Sequence, residues 1–467
     1  MAIDLRLDIN EVALLSDLYE LTVSSALFAR DMNEPAAFEL ALRRMPPNRG
    51  FMIAAGIERV LEVLEQLRFD AAAIAYLDSL QIFKPAFLDY LAKFRFRGDV
   101  RAIAEGEVFF AGEPILEIYA PLVEAQIAET LVLNQAGFAA MVATKAARCV
   151  GAAQGRRVVD FGMRRAQGAD AALIAARSSY LAGFAGTSNL LAGLRYGIPV
   201  FGTMSHSFVM AHDSELAAFE AFSSSFAAPV TILADTYDTL RGVENAAKVA
   251  ARLRESGAKL GGIRLDSGNL QALSIRTRKI LDQHGLGETA IFASGNLDEY
   301  RIAELLAARA PIDAFGVGTA LAVSDDAPAG DFTYKLVEYK GQPRLKLSEG
   351  KASTPGRKQV FRASAAAGGY IGDLVSALDE SAVTVAKVLK APPSQIKPIL
   401  EVQMERGVRR LPRPALNEIR AWAAAAVARL DPRWRMLRKP VEYPVRNSAA
   451  IHAMIISEKV RADRRQL

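Results

Sequence analysis

Gly262-Ile263-Arg264-Leu265-Asp266-Ser267-Gly268 reads as a short apolar strand that closes on an acid, a hydroxyl and a glycine. Side chains two apart on a strand face the same way, so Arg264 and Asp266 share one face. The same punctuation recurs along the chain. Residues 158–161 run into Asp160-Phe161-Gly162, 199–201 into Gly202-Thr203, and 230–233 into Asp235-Thr236. Residues 290–293 run into Ser294-Gly295-Asn296, and 312–317 into Gly318-Thr319. Helical patterns at 170–180, 214–226, 240–256 and 297–309 separate most of these runs. Short strands alternating with helices predict parallel βα units. Polar residues at the ends of many strands, rather than near one switch point, favour a (β/α) barrel over a doubly wound sheet.

The flanks have a different rhythm. Residues 14–30 and 57–67 carry apolar side chains at helical spacing. A strand at 36–42 is closed by the turn Pro46-Pro47-Asn48-Arg49-Gly50. Residues 100–119 read as short strands broken by Gly106, Gly112 and Pro114, and 124–149 as one long helix. Strands at 332–338 and 342–346 form a hairpin around Lys340-Gly341, and 415–429 is a helix.

A chain of 467 residues suggests two or three domains, and 51% hydrophobic with 23% charged residues is ordinary for a soluble protein. The single cysteine, Cys149, excludes an intramolecular disulfide and any cysteine-cluster zinc site. Within the apolar run 141–150 it reads as a buried inert thiol, in keeping with a reducing cytoplasm. The acidic start, with Asp4, Asp8 and Glu11, lacks the pattern of a secretory signal. The alanine-rich run 421–428 falls short of the ~20 apolar residues that span a bilayer. The net charge of +5 is uneven: residues 404–467 hold 15 Lys and Arg against 6 Asp and Glu, a local +9 that leaves −4 on the rest. That segment reads as a solvated basic face, with anion binding the minor alternative, and not as a nucleic-acid surface.

The strand-end residues suggest chemistry. Ser294-Gly295-Asn296 and Gly316-Val317-Gly318-Thr319 could be tight turns. In successive units, with amides at a helix start, they favour a phosphate site. Arg164 and Arg165 suit phosphate or carboxylate, or face solvent. His206, just past a strand end, could be a base, a nucleophile or a structural donor. His212 and His284 read as surface or helix-end residues, and His206 with His212 lacks the i, i+4 spacing of a helical zinc pair. Arg264 and Asp266 form either a salt bridge or a site where Arg264 holds an anion and Asp266 meets a sugar hydroxyl or Mg²⁺.

Together these stretches resemble the nicotinate phosphoribosyltransferase family. Asp17-Leu18-Tyr19-Glu20-Leu21-Thr22, Arg49-Gly50-Phe51 and Ala55-Gly56 are similar to its N-terminal motifs. Phe161-Gly162-Met163-Arg164-Arg165, Ala185-Gly186-Thr187-Ser188-Asn189 and Gly202-Thr203-Met204-Ser205-His206-Ser207 follow in order. Ile263 to Gly268 and Gly316 to Thr319 complete the series, and Tyr443-Pro444-Val445 in the tail is similar too.

The resemblance implies an α/β fold: an irregular (β/α) TIM-like barrel at 131–330, and an α/β sandwich domain formed by 1–130 and completed by 331–467 with its basic tail. It implies a homodimer with shared active sites, where Tyr19 of one subunit and Phe161 of the other sandwich a pyridine ring. Arg264 would pair with the nicotinate carboxylate, with Thr203 nearby. Arg164 and Arg165 would meet phosphate or pyrophosphate, and Ser294, Gly295, Gly318 and Thr319 would cradle the ribose 5-phosphate. Asp235 and Asp266 are the candidates for ribose hydroxyls and Mg²⁺, and His206 for phosphorylation by ATP. The implied reaction is ATP-coupled formation of nicotinate mononucleotide and pyrophosphate from nicotinate and phosphoribosyl pyrophosphate, in NAD salvage.

The nicotinamide-specific relative carries an acid where this chain has Ser188, which favours the acid substrate here. That relative is the alternative enzyme. Quinolinate phosphoribosyltransferase fits less well, its chains being shorter and lacking the Phe-Gly-x-Arg-Arg stretch. A non-catalytic metabolite-binding regulator on the same fold is the alternative of another class, and intact His206, Arg264 and Asp266 speak against it. No structural zinc, nucleic acid or membrane partner is expected.

Overall fold

The computed structural model describes residues 11–255, 259–347 and 353–465. Asp4 and Asp8 of the acidic start, and Ser256 at the end of an expected helix, lie outside them. The chain divides into two compact units, Val142–Asp326 and a second made of Met1–Met141 with Ala327–Leu467.

The Val142–Asp326 unit holds one parallel sheet in the order Gly186–Thr187, Arg157–Asp160, Ala314–Val317, Ala290–Ala293, Gly262–Leu265, Thr231–Leu233. Neighbours follow chain order, except that the last strand, Ala314–Val317, pairs with the first of the unit, Arg157–Asp160. Pairing of the last strand with the first is the winding of a barrel, here left open between Gly186–Thr187 and Thr231–Leu233; a doubly wound sheet would reverse its order at a switch point.

The barrel wall is irregular. The strand expected at 199–201 is reduced to one bridge, between Thr187 and Val200. Pro199 has no N–H to give a ladder. The segment also crosses so close that a Cβ on Gly186 would lie 2.2 Å from the Pro199 carbonyl oxygen. Between Val200 and the Thr231–Leu233 edge the wall is replaced by Phe222, Phe226 and Pro229, which line an apolar chamber of about 610 Å³.

The helix expected at 124–149 is two, Leu122–Ile127 and Glu129–Ala152. By length and composition the combined stretch could cross a membrane, but 72% of its most apolar window is buried. It also carries Lys145, fully buried and ion-paired with Glu299 at 2.6 Å and Asp325 at 2.8 Å. This is a core helix whose buried charge is matched, as a buried charge must be. Burial also pushes the Cys149 thiol well above its ordinary range, as an inert cysteine requires.

In the other unit both parts of the chain contribute to one seven-stranded antiparallel sheet. Its order is Gln342–Pro343, Phe332–Tyr339, Pro35–Leu42, Pro114–Pro121, Asp99–Ala102, Glu401–Glu405, Val408–Arg409. A four-stranded sheet, Ile396–Pro398, Lys358–Ser364, Tyr370–Ala377, Val445–Asn447, completes the unit. The Lys340-Gly341 hairpin forms, with left-handed φ of 53° and 65° as a two-residue turn demands. Its return strand stops at Pro343 instead of running to 346, because proline offers no donor to the ladder. The first helix starts at Leu18 rather than residue 14. Part of the basic C-terminal excess is matched within the unit: Arg409 pairs with Glu58 at 2.7 Å and Arg413 with Glu62 at 3.1 Å, both on helix Ile57–Gln66.

Glu39, in the middle of the large sheet, is buried 3.0 Å from Lys358. Burial pushes its pKa up to about 7, against the pull of Lys358. A carboxyl raised in the folded state is protonated more readily there than in the unfolded chain. Its contribution to stability is therefore present at low pH and lost as pH rises from about 4.5 to about 7. In denaturant titrations, the stability of the wild type relative to Glu39→Gln is expected to fall across that window. A difference independent of pH would mean that Lys358 keeps Glu39 ionised throughout.

Candidate active site

The C-terminal ends of the barrel strands surround a cavity of about 360 Å³ in the Val142–Asp326 unit. Its walls include Phe161, Arg164, Ser188, Thr203, His206, Arg264 and Asp266, which stand on four different strand-end segments. Sequence reasoning selected all seven. It did not select Met163, Phe201, Met204, Ser205 and Leu233, which also line the space.

Arg264 organises the site. Its Nε donates to Ser294 Oγ at 2.7 Å, Nη1 to Thr203 Oγ1 at 2.9 Å and Nη2 to Asp266 Oδ1 at 2.7 Å. Its guanidinium carbon lies 5.1 Å from the centre of the Phe161 ring, and Phe292 supports that ring at 5.5 Å. Space for the ring depends on Gly316, where a Cβ would sit 2.7 Å from it. Burial alone would push Asp266 up. The hydrogen bond from Ser294, donated at 2.5 Å, and the charge and hydrogen bond of Arg264 outweigh it and hold the carboxyl below its usual range.

His206 opens the short helix His206–Met210, with Ser205 as its N-cap. Its Nδ1 lies 3.2 Å from Thr236 Oγ1 and its Nε2 4.0 Å from Asp235 Oδ1, while its side chain keeps 44% of its surface. Asp235 is nearly buried. Its Oδ2 accepts from Ser267 at 2.5 Å, and its Oδ1 has no hydrogen-bond partner.

The remaining residues selected from the sequence stand outside the cavity lining. Arg165 is exposed beside Arg164, and neither pairs with a carboxylate among the described residues. Ser294 is buried and faces Arg264 and Asp266. Gly295 and Asn296 follow with left-handed φ of 91° and 48°, and a Cβ on Gly295 would lie 1.9 Å from the Asp266 carbonyl oxygen. The expectation that this loop supplies amides at a helix start is not met. Helix Glu299–Ala307 begins further on, and Asp298 already caps it by accepting from the Arg301 N–H at 2.7 Å. Gly318 precedes the four-residue helix Thr319–Ala322. Tyr19 belongs to the other unit, on helix Leu18–Ala29, with 48% of its surface exposed.

Three family models match the chain. They describe the nicotinate phosphoribosyltransferase N-terminal domain over residues 14–135, the family itself over 156–362 and its C-terminal domain over 357–455. The nicotinate phosphoribosyltransferase pncB2 of Mycobacterium tuberculosis is 49% identical over 451 residues, covering 96% of this chain and 93% of that protein. The chain belongs to the nicotinate phosphoribosyltransferase family. The nicotinate phosphoribosyltransferase of Bacillus subtilis is 36% identical, over 93% of both chains. The crystal structure of human nicotinic acid phosphoribosyltransferase superposes with a TM-score of 0.84 at 30% identity, covering 95% of this chain and 99% of that one. The chain is thus an enzyme of this family, with an irregular barrel and a sandwich domain built from both chain ends. The nicotinamide-specific alternative is not favoured.

Proposed function

We propose that this enzyme joins nicotinate to phosphoribosyl pyrophosphate with release of pyrophosphate, and that ATP is coupled to the reaction through a phosphate carried on His206. The observation that carries the reading is the donor count at Arg264. Of its five N–H groups, Ser294, Thr203 and Asp266 engage three. One N–H remains on each terminal nitrogen, the pair that a carboxylate takes with its two oxygens. A carboxamide has one acceptor oxygen and an NH₂ that would face a donor, so it matches this fork poorly. Ser188 adds no charge to repel the acid.

The pyridine nitrogen attacks the anomeric carbon with its own lone pair as pyrophosphate leaves, so no proton has to be removed from it. The protein's task is to orient the ring against Phe161 and to stabilise a cationic sugar. Asp266, held ionised, supplies negative charge at that place. Arg164 and Arg165 meet the phosphates, and the Gly295 and Gly318 loops, with Ser294 and Thr319, border the ribose 5-phosphate.

The donor set fits Mg²⁺ brought in on pyrophosphate. The buried unpartnered oxygen of Asp235, together with Asp266, offers carboxylate ligands. No cluster of three or more His, Cys, Asp or Glu among the described residues would hold a metal on its own. The ion would neutralise the leaving group. Thr236 and Asp235 flank the two nitrogens of His206 and orient the imidazole for phosphoryl transfer. Exposed apolar side chains, Tyr19 and Leu18 in one unit and Leu194 at 83% in the other, support a homodimer in which a partner covers them and completes each site. The reading places the enzyme in the cytoplasm.

The test supplies purified enzyme with phosphoribosyl pyrophosphate and Mg²⁺, and nicotinate or nicotinamide, each with and without ATP. Nicotinate mononucleotide is expected from nicotinate alone, with a rate raised by ATP. His206→Ala is expected to keep the basal rate and lose the ATP effect. An ATP effect that survives in His206→Ala would remove the phosphohistidine.

A further inference from the structure

Strand Arg157–Asp160 ends on a carboxylate that is 1% exposed and does not line the cavity. Asp160 Oδ1 accepts the Gly162 N–H at 2.7 Å, and Oδ2 accepts the Thr187 hydroxyl at 2.7 Å. Its backbone carbonyl accepts the Ser188 N–H at 2.8 Å. Thr187 Oγ1 in turn accepts the Asn189 N–H at 3.0 Å. The Thr187 N–H donates to the Pro199 carbonyl at 3.0 Å, and the Phe201 N–H donates to the Thr187 carbonyl at 3.0 Å.

The buried side-chain pair and these backbone bonds together tie three loops. These loops carry Phe161 with Arg164, Ser188, and Phe201 to Thr203. They come from separate strands: backbone bonds join Ser188 to Asp160 and Thr187 to the 199–201 segment, and the side-chain pair adds the link from the Gly162 turn through Thr187 to Asn189. Gly162 leaves little slack: a Cβ there would lie 2.7 Å from Ala322 Cβ and 3.0 Å from both Asp160 Oδ1 and the Gly318 carbonyl oxygen. Hydrogen bonds to a buried carboxylate are stronger than neutral ones and hold geometry accordingly.

We propose that Asp160 and Thr187 are positioning residues for the pyridine site: without touching substrate, they fix the Phe161 ring relative to Ser188 and thereby set nicotinate affinity and the preference for acid over amide. The inference rests on the reading that Phe161 and Ser188 border the pyridine ring.

Thr187→Val keeps the shape and removes the hydroxyl, and Thr187→Ser restores it. In the full-length enzyme Thr187→Val is expected to raise KM for nicotinate about tenfold, the order of one buried hydrogen bond. It should also lower the nicotinate-to-nicotinamide ratio, and raise KM for phosphoribosyl pyrophosphate less than KM for nicotinate, because the loop that carries Phe161 also carries Arg164. Thr187→Ser recovers the wild-type values. In a Phe161→Ala background the same change adds less than about twofold, because residues acting through one group are not additive. Asp160→Asn, which keeps volume but loses one acceptor, carries the same test if Thr187→Val does not fold. A variant that loses thermal stability or active fraction while both KM values stay fixed overturns the proposal, as does full additivity with Phe161→Ala. If Phe161→Ala itself leaves KM for nicotinate unchanged, the ring-site reading falls and the proposal falls with it. If Phe161→Ala raises that KM and Thr187→Val does not, the positioning pair alone falls.

Discussion

Arg264→Leu is expected to lower kcat/KM for nicotinate by roughly a hundred- to a thousandfold, with a far smaller effect on any residual use of nicotinamide. The magnitude corresponds to about 3–4 kcal/mol for a charge-assisted pair of hydrogen bonds to a carboxylate, each worth about 1.5–3 kcal/mol alone and the two, made by one group, not adding in full. The side chain also holds Thr203, Ser294 and Asp266 in place, so part of the loss is in kcat. Arg264→Lys should recover little of it. An ammonium presents its donors from one point and cannot span three partners and a ligand as a planar fork does. Steady-state kinetics on both pyridines decide the matter. An equal loss with each would mean that Arg264 maintains the mouth of the barrel without reading the carboxylate.

The second large effect lies in the other unit and concerns stability. Arg362 and Asp373 are direct cross-strand partners in the four-stranded sheet, both nearly or wholly buried. Arg362 Nη2 donates to Asp373 at 2.6 Å and Nη1 to Glu107 at 2.8 Å, with Glu113 at 3.9 Å. Tyr443 donates its hydroxyl to Asp373 at 2.8 Å and stacks on Phe110 with ring centres 3.6 Å apart. Burial, and Asp373 beside it, push the Glu113 carboxyl well above the usual carboxylate range.

One guanidinium thus serves several carboxylates. Arg362→Met is expected to destabilise the protein by about 3–5 kcal/mol near pH 7, because it leaves buried acids without a counter-charge. The deficit should then shrink as pH falls, since protonation removes the unmatched charge. Replacing Arg362, Asp373 and Glu113 together by apolar residues should recover much of the loss. Chemical denaturation of the single and triple variants checks this. Equal instability of both would assign the effect to packing.

The same network shows why Tyr443-Pro444-Val445 stood out in the tail with no reason visible in sequence. Its tyrosine completes the hydrogen bonding of an aspartate 70 positions earlier. Proline 444 also lies close over Gly372, where a Cβ would meet it at 3.0 Å. Neither relation leaves a local pattern.

The sequence by itself determined the α/β alternation, the barrel and most of the cavity wall. Those features are local: a short apolar run, a polar strand end and a helix repeat at fixed spacing, and residues at strand ends converge wherever parallel strands form a barrel. Arg264 and Asp266 could be placed on one face because a strand alternates by two. The tertiary structure decided what depended on distant partners. It reduced residues 199–201 to a single bridge and turned Ser294 toward Arg264. It gave the helix start after Asn296 to Asp298, and it matched part of the basic tail with Glu58 and Glu62. It also gave Asp160 and Thr187, unremarkable strand-end residues in sequence, a shared place beneath the site. Apart from the Asp298 cap, which is local, each of these is set by which backbone or charge lies across a gap of tens or hundreds of residues, and spacing along the chain carries no record of that distance.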